Sequence, residues 1–144
     1  MSGAVRRVCI DHLTLPVGDL AVSKAFYDAA LAGLGFESVT VEGMPTWGPP
    51  GAEDFSIRQG QPPPMGMHLA FLAETRAQVE AFHAAGLLSG GRDNGPPGHR
   101  PKYHPGYYAA YLLDPDGNNV EAMLHEREPD VPPHVPEPPD VQLA

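Results

Sequence analysis

The 144-residue sequence has a single cysteine, Cys9, so an intramolecular disulfide is excluded. A chain without that staple suits a reducing compartment, and a cytoplasmic location is the expectation. Basic residues are also scarce: nine Lys and Arg stand against eighteen Asp and Glu, a formal net charge of −9. That balance argues against nucleic acid or an anionic membrane surface as partner. No apolar run approaches the roughly 20 residues of a membrane-spanning helix. Arg6 and Arg7 stand near the start, but Asp11 and His12 interrupt the apolar residues that follow, so no signal peptide is expected. Cys9 lies in an apolar strand pattern and is expected to be an inert core thiol.

Punctuation, by contrast, is plentiful: sixteen glycines and eighteen prolines cut the chain into short pieces. The clearest piece runs from Tyr111 to Glu121. Asp114-Pro115-Asp116-Gly117 is a turn signal, because Pro sets φ at the first central position and Gly tolerates positive φ. Apolar and aromatic residues flank it from Tyr107 to Leu113 and from Asn119 to Leu124, which predicts a β-hairpin. In the second strand Val120, Ala122 and Leu124 share one face, and Asn119, Glu121 and Met123 the other. A Glu in a strand of core character is costly unless it is paired or holds a metal.

Taken in order, Val5 to Val17 alternates as a strand, with Ile10, His12 and Thr14 on one face and Asp11 on the other. Asp19 is placed to cap a helix to about Leu31, with Val22, Phe26 and Ala29 on its apolar stripe and Gly33 and Gly35 at its end. Short strands are predicted over Phe36–Val41, Met44–Trp47 and Asp54–Gln59, before a Pro-rich break at Gln61-Pro62-Pro63-Pro64. The pattern then starts again. Met67 to Leu72 reads as a strand, and Thr75 with Gln78 forms a capping box for a helix carrying Val79, Phe82 and Gly86. At one constant offset His12 falls on His68, Leu13 on Leu69, Asp19 on Thr75, Ala25 on Ala81, Phe26 on Phe82, Ala29 on Ala85 and Leu31 on Leu87. Seven pairs without a gap predict a duplicated βαβββ unit. Leu88 to Gly91 and the hairpin would supply the remaining strands. Arg92 to Gly106 is expected to be a loop beside the pocket, and the Pro-rich segment 128–144 an extended tail after a domain spanning 1–127.

The duplication sets His12 and His68 at equivalent positions, and Glu121 stands on the last strand. Two neutral imidazoles and one carboxylate suit a divalent ion such as Fe, Mn, Ni or Zn, with positions left open for substrate. Three strands would hold such ligands rigidly. His104 and Tyr107, in a polar and aromatic segment with Arg100, Lys102 and Tyr103, are candidate proton donors and acceptors. Tyr27 and Trp47 read as packing residues.

With Asp11-His12-Leu13, Phe26-Tyr27, His68-Leu69-Ala70 and Asp114 to Glu121 quoted together, the chain resembles the vicinal oxygen chelate superfamily. That group includes glyoxalase I, bleomycin-resistance proteins and type I extradiol dioxygenases. The resemblance covers Val8 to Glu126. It implies an α+β fold of two βαβββ modules forming a cup-shaped mixed sheet with helices outside. It also implies His12, His68 and Glu121 as metal ligands, and a homodimer. Tyr111 stands where extradiol dioxygenases carry an active-site Tyr. Glyoxalase I takes a fourth ligand from the last strand of its first module, where this chain offers Ser56, a poor ligand. The expectation is a metal-dependent dioxygenase, or a lyase or isomerase, acting on a small oxygen-rich substrate. The alternative is a metal-free small-molecule (antibiotic) binding protein of the bleomycin-resistance type.

Overall fold

The computed structural model describes residues 9–126. The tail predicted for 128–144, and residues 5–8 of the first strand pattern, lie outside that range. Two units of identical element order follow one another. The first is β1 (Leu13–Val17), α1 (Leu20–Ala32), β2 (Val39–Val41), β3 (Met44–Trp47) and β4 (Phe55–Gln59). The second is β5 (His68–Leu72), α2 (Arg76–Leu87), β6 (Arg92–His99), β7 (Tyr107–Leu113) and β8 (Asn119–His125).

Each unit forms one four-stranded mixed sheet, in the order β1-β4-β3-β2 and β5-β8-β7-β6. The first and last strands of a unit are parallel neighbours, and the other pairs are antiparallel. This is the α+β architecture of two βαβββ modules that the duplication predicts.

The helices start where their caps place them. Asp19 Oδ1 accepts from the Val22 amide at 3.1 Å, and Thr75 Oγ1 from the Gln78 amide at 3.2 Å. Gln78 Oε1 turns back to the Glu74 amide at 2.7 Å. On α1 the buried stripe is Ser23, Phe26, Tyr27, Ala30 and Leu31. Val22, assigned to that stripe from the sequence, is exposed. On α2 the predicted Val79, Phe82 and Gly86 are all buried.

The modules meet through their helices. A Cβ added to Gly33, at the end of α1, would lie 2.5 Å from the Phe82 nitrogen and 2.7 Å from the Ala81 carbonyl carbon of α2. Phe26 fills the space left by Gly86 and Gly91, where an added Cβ would meet its ring. Around this contact Tyr27, Trp47, Phe55, Phe71 and Phe82 form an aromatic chain with centroid spacings of 4.9–6.4 Å when Phe26 is included. Tyr27 and Trp47 are fully buried, as packing residues should be.

Four local expectations change. Residues 88–91, expected to supply a strand, form the C-cap and turn that follow α2. Arg92–His99 is a strand, not a loop, and only 100–106 turns back towards β7. The first strand begins at Leu13, so His12 precedes it. Cys9 therefore lies outside the sheet and is exposed.

Two polar contacts fasten α2 to its sheet. His83 Nε2 meets Asp93 Oδ1 at 2.8 Å, and Arg76 donates to both Glu126 oxygens at 2.5 and 2.7 Å. The hydrogen bond from His83 holds Asp93 below its ordinary value, and that from Arg76 does the same for Glu126. A lowered carboxylate contributes stability above its unfolded pKa and loses it as pH falls through the folded one. Thermal midpoints should therefore drop below about pH 4.5, the ordinary value for Glu. Asp93→Asn combined with Glu126→Gln should flatten that drop. Parallel curves for variant and wild type would count against this assignment.

Candidate functional site

The second sheet turns one face to α2 and leaves the other open. Val120, Ala122, Leu112 and Ala110 pack on the covered side. Alternation then sends Asn119, Glu121, Met123 and His125 of β8, with Tyr107 and Tyr111 of β7, to the open side. On β5 the same side carries His68, Ala70 and Leu72, all exposed. The register sets Glu121 between Ala70 and Tyr111.

Glu121 is 2% exposed, an unusual state for a carboxylate. Its Oε1 lies 2.6 Å from His68 Nε2, and its Oε2 accepts from the Tyr107 hydroxyl at 3.0 Å. The His68 side chain is 53% exposed, so this pair has one buried end and one open end. Burial, and then the charge of Glu121, push the Tyr107 phenol well above its ordinary value, and Tyr111 is raised for the same reasons. Both phenols stay protonated across the physiological range and can serve as hydrogen-bond donors.

Tyr103 packs on Tyr107 with a centroid spacing of 4.7 Å. The His104 ring lies edge-on to Tyr107 at 5.6 Å. The Gly106 amide donates to His104 Nδ1, which leaves the proton on Nε2, 2.8 Å from His125 Nδ1. The two imidazoles stack at 5.0 Å. His125 was missed in the sequence, although the alternation of β8 places it on the same face as Glu121.

His12 stands apart from this group. Its side chain is 71% exposed, and Nδ1 meets Asp11 Oδ2 at 2.8 Å. Among the described residues no three His, Cys, Asp or Glu side chains gather into a set that could hold a metal ion. The donor chemistry of the His68–Glu121 pair fits a divalent ion in part. One imidazole nitrogen and one carboxylate oxygen converge, and among the described residues no third ligand stands beside them.

The first module has no equivalent of this pair. Thr14 pairs with Ser56 as Ala70 pairs with Glu121, and Thr46 opposes Ser56 as Tyr111 opposes Glu121. Ser56 and Thr46 share a 2.8 Å hydrogen bond where the second module has its carboxylate and phenol.

The family model for the glyoxalase/bleomycin resistance protein/dioxygenase superfamily matches residues 9–122. The chain belongs to that superfamily. A glyoxalase/bleomycin resistance protein from Albidiferax ferrireducens T118 is 38% identical over 81% of this chain and 98% of its own, with a TM-score of 0.69. A virulence protein from Salmonella typhimurium is 25% identical over 85% of this chain and 99% of its own, at a TM-score of 0.60. A glyoxalase-related enzyme from Fulvimarina pelagi, 22% identical over 83% and 88% respectively at 0.59, shares the fold. No curated protein matches the chain. Superfamily members bind small molecules, and among the described residues no helix is long and apolar enough to cross a membrane.

Proposed function

We propose that this superfamily member is a metal-dependent enzyme acting on a small oxygen-rich substrate, by dioxygenase or lyase/isomerase chemistry. The observation that carries this reading is the buried Glu121 carboxylate, aimed at the open sheet face and bracketed by His68 and Tyr107. Burying a carboxylate costs several kcal/mol by general estimate unless a partner recovers it. A cation held by His68 and Glu121 is a partner of the right charge.

The third ligand is His12 of a second copy of the chain. Two features support this. His12 of the same chain is not beside the pair, and β5 is an edge strand whose outward residues His68, Ala70 and Leu72 are exposed. A homodimer would cover that face. A monomeric elution profile at micromolar concentration would remove this source of the ligand.

When bound, the divalent ion acts as a Lewis acid that lowers the pKa of a substrate hydroxyl. Tyr107 and Tyr111, held protonated, donate hydrogen bonds to substrate oxygens as negative charge develops there. The imidazole of His104, packed edge-on against Tyr107, keeps that phenol in place. Ser56 in the position of a fourth ligand argues against glyoxalase I chemistry in the strict sense.

One observation favours a metal-free binder of the bleomycin-resistance type: His68 already spends Nε2 on Glu121, and His12 spends Nδ1 on Asp11. Elemental analysis of untagged protein decides between the two. About one equivalent of Fe, Mn, Ni or Zn per chain, lost in His12→Ala and in Glu121→Ala, is the expected result. No metal after incubation with each ion would overturn the enzyme reading and leave the binder.

A further inference from the structure

Two cationic side chains stand behind the tyrosines of the site. The Arg100 guanidinium carbon lies 5.3 Å from the centre of the Tyr111 ring, and Lys102 Nζ lies 4.9 Å from that of Tyr103. Arg100 is one aromatic ring from the Glu121 carboxylate, because Tyr111 opposes Glu121 in register, and Lys102 is two, through Tyr103 and Tyr107.

Arg100 is held in place rather than trailing into solvent. Nη2 donates to the Pro96 carbonyl at 2.6 Å and Nη1 to the His99 carbonyl at 3.4 Å. Two glycines of β6 make room for it: an added Cβ would come within 3.3 Å of the guanidinium at Gly95 and 3.1 Å at Gly98. Both acceptors are backbone carbonyls. Among the described residues Arg100 forms no ion pair with a carboxylate, whereas Arg76 and Lys24 each do. A guanidinium has five N–H donors, and these two bonds use one each. In a chain with a net charge of −9, a guanidinium fixed by backbone carbonyls beside the site keeps N–H donors for an anion.

We propose that Arg100 is the anion handle of the site: the substrate carries an oxyanion group that Arg100 takes while its neighbouring oxygens face His68 and Glu121. This rests on the reading of that pair as the substrate-binding centre. The fork of N–H donors suits a carboxylate or phosphonate edge, and the Tyr111 ring keeps its plane fixed. Lys102, exposed over Tyr103, adds a second positive charge at the mouth. It makes a screened contribution of the kind exposed charges give. Arg100 is therefore a specificity-determining residue for the substrate's charge.

The test uses the full chain loaded with zinc, which leaves catechol probes unoxidised, and titrates matched probes by calorimetry. The probes are 3,4-dihydroxybenzoate, its methyl ester, and 3,4-dihydroxyphenylphosphonate. Expected is binding of one or both anions at least about tenfold tighter than the ester, the size of a charge-assisted hydrogen bond. The better of the two names the anion class. Arg100→Gln should bring acid and ester to within about twofold, with zinc content and ester affinity unchanged, and Arg100→Lys should restore part of the preference. Equal affinities in the wild type, a preference that survives Arg100→Gln, or no binding of any probe would overturn the proposal. Zinc measured on the same samples separates the two ideas. An Arg100-dependent preference without bound zinc would sink the metal reading and leave the handle standing.

Discussion

Replacing Asp114 with alanine is expected to cost about 3–5 kcal/mol of stability, the range for breaking a buried charged network. This side chain is 1% exposed and accepts four hydrogen bonds. Oδ1 takes the amides of Asp116 and Asn118 at 3.0 and 2.8 Å, which ties the turn to itself. Oδ2 takes the Asn118 side-chain amide at 2.9 Å and the Tyr27 hydroxyl at 2.5 Å, and the last bond crosses from one module to the other. Alanine would leave all four donors without that acceptor in a region closed to water. Burial, followed by Asp114 itself, pushes the Tyr27 phenol well above its ordinary value, which keeps it a hydrogen-bond donor to Asp114. Tyr27→Phe should cost less, about 1–2 kcal/mol, since it removes one donor and leaves Asp114 with three. Urea melts of both variants and their double mutant check this. A loss under 1 kcal/mol for Asp114→Ala would mean that the turn holds without its carboxylate.

Gly33→Ala is the second substitution with a large expected effect, about 3 kcal/mol or more. The clash is with backbone on both sides. The added methyl would sit 2.5 Å from the Phe82 nitrogen and 2.9 Å from its Cα, and neither atom can rotate away. Helix α1 or α2 has to move, and the Phe26 packing beside Gly86 and Gly91 moves with it. Gly35 is the control. It is the αL residue after the helix, with φ +88° and open space around its Cα, so alanine there meets only backbone strain of about 1–2 kcal/mol. Thermal or urea midpoints should separate the two variants clearly. Equal losses would show that the helix contact yields easily.

The parts of this fold that were legible in the sequence are those with local chemistry or exact repetition. Asp19 and Thr75 announced the helix starts, and Asp114-Pro115-Asp116-Gly117 the hairpin, because capping and turn geometry are short-range. The duplication was visible because both copies kept the offset, from His12 and His68 through the two helices. Strand β6 was missed since Gly95-Pro96-Pro97-Gly98 lies in its middle, and proline reads against a strand. As the outer strand of its sheet, interrupted by register shifts, β6 tolerates prolines that a central strand would not. The helix stripe slipped by one residue because Ser23, a small polar residue, is buried while Val22 is exposed. At the site, Glu121, His68, Tyr107 and Tyr111 were legible as residue types at strand positions, and the structure brings them together. The isolation of His12 was not, since a repeat shows which residues are equivalent and not which ones meet. His125 could have been found by carrying the alternation of β8 two residues further.

Ser56 at the position equivalent to Glu121 has a consequence for stoichiometry. Two copies of the same unit could in principle carry two ligand centres, yet the first ends its sheet in a hydroxyl pair, Ser56 with Thr46. Such a pair satisfies itself and attracts no cation. Occupancy should saturate at one ligand per polypeptide, and a dimer would work as a two-site particle with identical halves.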